Sequence, residues 1–205
     1  MDFTKLQPLH MDFLKEIGNI GAGNAVTSLA QMTGKKIGME VPSSSIARIN
    51  HLMQLLGDEE ELVSCVNVAV SGDAQASIFF ILKHQNALGL LDRLMGQPHG
   101  SYREIDAIGQ SALNEVGNII AGSLLNAISS LTGLSFLSSV PAYANDMLGA
   151  VLSAALLERG YFDDHVLVIN TRFYDQDVVL DGNLFLLPKG NALETIFKSV
   201  GISWG

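Results

Sequence analysis

Apolar residues in the first part of the chain recur at the spacing of an α-helix. They approximate a period of 3.6 residues and predict a long helix from Pro8 to a stop at Thr33-Gly34. Asp12, Glu16 and Asn19 form a separate polar stripe at positions i, i+4 and i+7. One face of this helix is therefore expected to pack against the protein, and another is expected to face outward.

The rest of the first half predicts shorter elements. Alternating apolar positions and turn residues indicate a strand from Lys36 to Val41 closed by Pro42, a short helix around Ile46 to Leu56, strands near Glu61 to Val70 and Gln75 to Lys83, and a helix from His84 to Met95. The two later strands are joined by the turn Ser71-Gly72-Asp73 and should form a hairpin.

The second half predicts the same order of elements. They are a long helix from Asp106 to Leu131 before Gly133, a strand ending at Pro141, a helix from Asp146 to Leu156, strands near His165 to Phe173 and Val178 to Leu187, and a closing helix from Ala192 to Val200.

This order reflects an internal repeat. Glu16-Ile-Gly-Asn19 returns as Glu115-Val-Gly-Asn118, 99 positions later, and the alignment continues without a gap to Pro42 and Pro141. Similarity over that span indicates a duplicated unit. We expect residues 1–205 to form a single α/β domain of two repeats, about 8–98 and 104–201, with pseudo-two-fold symmetry. Two long helices should pack against one shared sheet, mixed or antiparallel, whose pairing between the halves the sequence does not predict.

Glycines recur inside both long helices. Gly18 and Gly23 return as Gly117 and Gly122, and each weakens its helix by about 1 kcal/mol relative to alanine. Two reasons remain open. The glycines could allow another backbone to approach closely, or they could leave bare surroundings for a partner's loop.

Composition excludes several classes of function. A formal net charge of −9 opposes sequence-independent binding to nucleic acid or to an anionic membrane. The polar, acidic start does not resemble a signal peptide, and no run of 18 apolar residues occurs, so we expect a cytoplasmic protein without membrane insertion. Cys65 lies in an apolar run and is expected to be a buried hydrophobic residue of a strand.

The repeated Glu and Asn suit one kind of chemistry. Three residues apart on a helix, they lie on the same face and can touch one ligand. An asparagine amide accepts one hydrogen bond while donating others and can hold a water molecule, whereas a carboxylate would engage a cation beside a phosphate. Water attack on a phosphoryl group needs such an orienting amide. A single Glu-x-x-Asn, however, is common and is better explained as a solvated helix face.

The longer pattern is more specific. It reads Asp12-x3-Glu16-x2-Asn19-x22-Pro42 and again Ser111-x3-Glu115-x2-Asn118-x22-Pro141. In both copies this closely resembles the signature of the CheC family of chemotaxis phosphatases, and the resemblance covers nearly the whole chain. It implies a CheC-like fold and an enzyme that hydrolyses the aspartyl phosphate of the response regulator CheY.

The resemblance also implies roles for residues. Asn19 and Asn118 would each orient the attacking water, and Glu16 and Glu115 would contact a conserved lysine of the regulator. The chain would have no cofactor or metal site of its own, because the regulator supplies Mg²⁺. Supporting residues would be Asp12, Ser111, Pro42 and Pro141, with the prolines fixing strand ends.

A second partner and a rival interpretation follow from the same family. The receptor deamidase CheD would bind the segment after the second proline, through Asp146, Met147, Leu148 and Val151, although an ordinary half-buried helix explains that segment equally well. The rival is a non-catalytic scaffold resembling FliM that binds CheY or the flagellar switch. A nucleotide-binding loop and a serine hydrolase are excluded because their motifs are missing from the sequence.

Overall fold

Most helices and strands lie close to where the sequence predicts them. A computed structural model of the chain describes residues 6–34, 38–48, 52, 56–157, 165–175 and 178–203. The described helices are α1 (Pro8–Thr33), α2 (His84–Met95), α3 (Ala107–Thr132), α4 (Leu148–Leu157) and α5 (Ala192–Ser199). The strands are β1 (Gly38–Arg48), β2 (Leu62–Gly72), β3 (Ala76–Lys83), β4 (Phe136–Ser138), β5 (Ala142–Met147), β6 (His165–Asp175) and β7 (Val178–Pro188).

Both long helices are closed by local hydrogen bonds at each end. At the start of α1 the backbone N–H of Gln7 donates to Nδ1 of His10 at 3.0 Å, and at the start of α3 the carboxylate of Asp106 accepts from the N–H of Gly109 at 2.8 Å. The helices end at Gly34 and Gly133, whose φ values of 66° and 73° place them in the left-handed region. These caps define where each long helix stops.

All seven strands in the described part of the chain join one antiparallel sheet. Their order is β1-β6-β7-β3-β2-β4, and β5 pairs with β2 beside β4. The predicted hairpins β2–β3 and β6–β7 are both present, and they meet at the β3–β7 pair, where Phe79 lies opposite Phe185. The prediction of a shared sheet beneath long helices is confirmed.

The outer strands of this sheet are exchanged between the repeats. Strand β1, from the first repeat, pairs with β6 of the second repeat. Strands β4 and β5, from the second repeat, pair with β2 of the first. Each half of the chain therefore supplies the outer strand of the other half. The interpretation of residues 1–205 as one domain of two repeats stays a prediction, and this exchange is consistent with it.

The sheet carries a hydrophobic core on each face. The larger core lies under α1, α2, α3 and α5, and the smaller one lies under α4 with the helical residues Leu52 and Leu56. Cys65 of β2 belongs to the smaller core, and its burial raises the pKa of the thiol from 9.0 to about 12. It is a buried hydrophobic residue, as the sequence predicts.

Strand β1 is longer than the sequence predicts. It continues through Pro42 to Arg48, so the prediction that Pro42 closes the strand is wrong. The register shifts between Glu40 and Ser43, and this irregularity accommodates the proline, which has no N–H to donate to a ladder. Ile46 is paired with Leu167 of β6 and is not helical. Ala47 and Arg48 also belong to β1. Of the rest of the predicted helix, Leu52 and Leu56 are helical, and the other residues lie outside the described ranges.

The helix predicted from Asp146 begins two residues later. Asp146 and Met147 are the last residues of β5 and pair with Val63 and Leu62 of β2. The N–H groups of Leu148 and Gly149, at the start of α4, have no acceptor within the helix. They donate instead to backbone carbonyls of the loop before β2, at 2.8 and 3.0 Å. Sheet pairing thus extends the strand into a segment whose composition favours a helix.

Candidate functional site

The predicted polar stripe of α1 is on the surface. Asp12, Glu16 and Asn19 are all exposed. In the same stretch of helix, Leu14 and Ile17 are buried in the larger core, on the side of α1 that faces the sheet. Burial of these two side chains sets the rotation of α1, so the carboxylates and the amide must point away from the protein.

The second copy is placed in the same way on α3. Ser111 and Glu115 are exposed, while Asn118 is half-buried. Leu113 and Val116, the counterparts of the buried α1 residues, are themselves buried. The two copies differ in the exposure of the asparagine, and this difference could not be read from the repeat.

The four Glu and Asn side chains are free to meet another molecule. Among the described residues, none makes a side-chain hydrogen bond or an ion pair with Glu16, Asn19, Glu115 or Asn118. Binding a partner would therefore break no internal bond of these groups.

Ser111 and Asp12 are equivalent in sequence but differ in their bonding. The hydroxyl of Ser111 donates to the backbone carbonyl of Ala107 at 3.0 Å, one turn earlier on α3. The carboxylate of Asp12 carries a negative charge one turn before Glu16 and makes no such bond within the described part of the chain. The first copy is therefore the more acidic of the two.

The glycines of the long helices divide into two groups. A Cβ at Gly18 would lie 3.4 Å from Cγ1 of Val41, and one at Gly117 would lie 2.5 Å from Cγ1 of Val66, so both allow close contact with a strand side chain. A Cβ at Gly21 would lie 3.2 Å from Cα of Leu124, which brings the two long helices together. Close approach explains these three glycines.

Gly23 and Gly122 have no such explanation. A Cβ at either position would meet nothing within 4 Å among the described residues. Each lies one turn after the asparagine of its copy, on the same stripe. The helix is weakened here without any gain in packing, and the surface next to each asparagine is left bare.

Alanine substitution should separate the two groups of glycines. We expect Gly122→Ala to raise the free energy of unfolding by up to about 1 kcal/mol, because the new methyl group meets open space and alanine favours a helix. Gly117→Ala should lower it by about 1–3 kcal/mol, because the methyl group would collide with Val66. Urea unfolding followed by circular dichroism measures both. A destabilised Gly122→Ala would show that the space beside Asn118 is not open.

The two prolines interrupt equivalent points of the outer strands. Pro42 lies at the register shift of β1, and Pro141 lies between the end of β4 at Ser138 and the start of β5 at Ala142. Pro141 thus precedes a strand, whereas Pro42 lies within one. Neither position bears on whether the prolines support the chemistry, which stays a prediction.

The segment predicted to bind CheD is only partly accessible. Leu148 and Val151 are buried in the smaller core, because they hold α4 against the sheet. Asp146 and Met147 are exposed at the end of β5. The structure does not test binding of CheD, which stays a prediction for all four residues.

The groups of the site are suited to positioning a ligand or a water molecule. Its copies offer carboxylates, amides and one hydroxyl, and neither stripe contains a histidine or a cysteine that could serve as base or nucleophile. Within the described ranges no group of three or more His, Cys, Asp or Glu side chains is arranged to hold a metal ion. Likewise, none of the described helices has the length and apolar character needed to cross a membrane.

Comparison with known proteins reveals the same duplication. The model of the CheC-like family matches residues 9–46 and 108–143, one match for each copy of the motif. The CheY-P phosphatase CheC of Bacillus subtilis is 35% identical over 205 residues, covering 98% of each chain.

Solved structures with a similar fold are also found. FliY of Thermotoga maritima has a TM-score of 0.74 and 20% identity, covering 96% of this chain and 98% of its own. The middle domain of FliM from H. pylori has a TM-score of 0.66 and 10% identity, covering 95% and 99%. A CheX from Desulfovibrio desulfuricans has a TM-score of 0.53 and 19% identity, covering 85% and 99%. At these identities the likeness concerns the fold.

Proposed function

The chain belongs to the CheC-like family, and on that premise we propose that it is a phosphatase for the aspartyl phosphate of the chemotaxis response regulator CheY. The relative from Bacillus subtilis, similar along nearly its whole length, is a CheY-P phosphatase. The observation that carries the proposal is the duplicated, outward-facing Glu and Asn, which no other described side chain engages.

Each asparagine is the water-positioning residue in this proposal. The side-chain amide of Asn19 or Asn118 accepts a hydrogen bond from a water molecule and holds it in line with the phosphorus–oxygen bond of the phosphoaspartate. The water oxygen bonds to phosphorus, the bond from phosphorus to the aspartyl oxygen breaks, and the aspartate leaves as a carboxylate. The products are inorganic phosphate and the unmodified regulator, and the second proton of the water passes to solvent or phosphate.

Each glutamate supplies the negative charge that binds the regulator. Glu16 or Glu115 forms an ion pair with a lysine beside the phosphoryl group of the regulator, which brings the amide of the same helix face to the reacting atoms. A lysine so paired is held in one orientation. The helices are capped at both ends and packed on the sheet, so little reorganisation is required of this chain.

Charge stabilisation comes from the partner. We propose that the Mg²⁺ bound by the regulator neutralises the phosphoryl oxygens, as in other phosphoryl transfers. This chain contributes no metal ligand and no covalent intermediate. The reaction takes place in the cytoplasm, where the sequence also predicts the chain.

A direct assay tests this function. Purified chain is added to CheY phosphorylated with labelled phosphate in the presence of Mg²⁺, and loss of label is followed with time. We expect the chain to accelerate this loss catalytically, at a ratio of less than one chain per regulator. If the chain binds the phosphorylated regulator without changing the rate, the alternative holds, and the protein is a non-catalytic scaffold like the FliM middle domain.

A further inference from the structure

Each copy of the site has a large exposed apolar side chain at its amino-terminal end. Leu9 in the first turn of α1 is 58% exposed, and Ile108 in the first turn of α3 is 64% exposed. The two positions are 99 residues apart, so they are equivalent under the repeat. Single exposed apolar residues are ordinary on protein surfaces, and their position relative to the site is therefore what matters.

Leu9 lies on the same stripe as the Glu and Asn of its helix. With 3.6 residues per turn, Leu9, Glu16 and Asn19 fall within an arc of about 80° around α1, and Leu9 lies about 10 Å along the axis before Glu16. The spacing of Ile108, Glu115 and Asn118 on α3 is identical.

Another exposed apolar pair is placed differently. Met32 and Leu131, also equivalent under the repeat, are 42% and 37% exposed near the ends of α1 and α3. They lie about 140° around the helix from Leu9 and Ile108, away from the stripe. Both pairs are thus exposed and duplicated. Leu9 and Ile108 are aligned with the Glu and Asn of their helices, whereas Met32 and Leu131 are not.

We propose that Leu9 and Ile108 are the anchor residues that bind the phosphorylated regulator at the two sites. Each would pack on an apolar spot of the regulator about 15 Å from its phosphoaspartate, which is the rise of the ten residues from Leu9 to Asn19. This inference rests on the proposed function and adds to it a separation of roles. The anchors contribute affinity without acting at the reacting atoms, whereas the Glu forms the docking ion pair and the Asn positions the water.

The usual size of a protein interface supports the phosphorylated regulator as the partner that covers Leu9 and Ile108. A stable complex buries about 800 Å² on each partner, which extends well beyond one turn of helix on either side of a contact. A regulator whose phosphoryl group reaches Asn19 therefore also covers the neighbouring turns of α1. Leu9 would lie inside that area, and Met32 would not face it.

The test uses chains with a single working site, so that the second site does not hide the effect. In an Asn118→Ala background only α1 is active, and Leu9→Ala should raise KM for phosphorylated CheY about tenfold while kcat is unchanged, because a buried apolar side chain is lost from the complex. In an Asn19→Ala background Ile108→Ala should do the same for α3. Circular dichroism confirms that each variant is folded.

Matched controls use the other exposed pair. Met32→Ala in the first background and Leu131→Ala in the second remove an exposed apolar side chain from the same helix and should leave KM and kcat unchanged. An unchanged KM for Leu9→Ala in a chain that still hydrolyses the phosphate would overturn the anchor while the phosphatase stands. A fall in kcat at constant KM would overturn it as well, since the residue would then act on the chemistry.

A direct binding measurement separates failure of the inference from failure of the proposed function. If the wild-type chain does not hydrolyse the phosphate, affinity is measured by titration with the beryllofluoride–Mg²⁺ complex of the regulator. If the variant Leu9→Ala/Ile108→Ala then binds about tenfold more weakly than the wild type, the anchor proposal stands and the phosphatase proposal is rejected. Equal binding by the wild type and that variant would reject the anchors.

Discussion

Replacing both Asn19 and Asn118 by alanine is expected to slow dephosphorylation of CheY by about 10²-fold or more. The amides hold the attacking water in line with phosphorus, and losing this alignment adds roughly 2.7 kcal/mol to the barrier. KM should change little, because the glutamates remain. Each single variant should keep part of the activity through the other copy. Loss of labelled phosphate from CheY, measured over a range of regulator concentrations, gives both constants.

The exposure of the two asparagines adds detail to this expectation. Asn19 is exposed and Asn118 is half-buried, so the two single variants need not lose equal shares of the rate. A suitable control is Asn24→Ala combined with Gln110→Ala, which removes an exposed amide from each helix off the stripe and should retain full activity. A folded Asn19→Ala/Asn118→Ala chain with the wild-type rate would show that these residues do not position water.

The second large effect is expected when both Glu16 and Glu115 are changed to glutamine. An ion pair with a lysine of the partner would be lost at each site while the shape of the side chain is kept. Hydrogen bonds between charged groups contribute about 1.5–3 kcal/mol, which predicts a fall of roughly tenfold to a hundredfold in kcat/KM. The rate should also depend less on salt concentration than in the wild type, because part of the attraction is electrostatic.

Net charge requires its own control in that experiment. Glu60→Gln combined with Glu194→Gln removes two exposed carboxylates away from the stripes and changes the net charge equally. This control should keep the wild-type kcat/KM. If it falls as far as the Glu16→Gln/Glu115→Gln chain, the effect comes from overall charge, and the assigned ion pair is wrong.

Local signals in the sequence predicted the helices well. Both long helices and α2 start and stop within a residue or so of the prediction, because caps and glycine stops act on neighbouring residues. Glu16 and Glu115 could be placed on the surface for the same reason, since their outward direction follows from the apolar period.

Features that depend on distant residues were not predictable. The segment from Ser43 to Arg48 is a strand because β6 pairs with it, and nothing nearby in the sequence reports that partner. The same holds for Asp146, which β2 draws into β5. Leu9 and Ile108 were missed for another reason. The aligned repeat began at Glu16, and extending the same offset back by seven residues would have found them.

The exchange of outer strands has a consequence for synthesis of the chain on the ribosome. Ser43 of β1 pairs with Asn170, so β1 must wait for 127 further residues before its partner exists. At about 5–20 residues per second this is roughly 6–25 s with an open strand edge, which invites pairing with other nascent chains. Pro42 and the three serines Ser43, Ser44 and Ser45 occupy that edge. A proline and polar side chains are devices that make a waiting strand a poor template for aggregation.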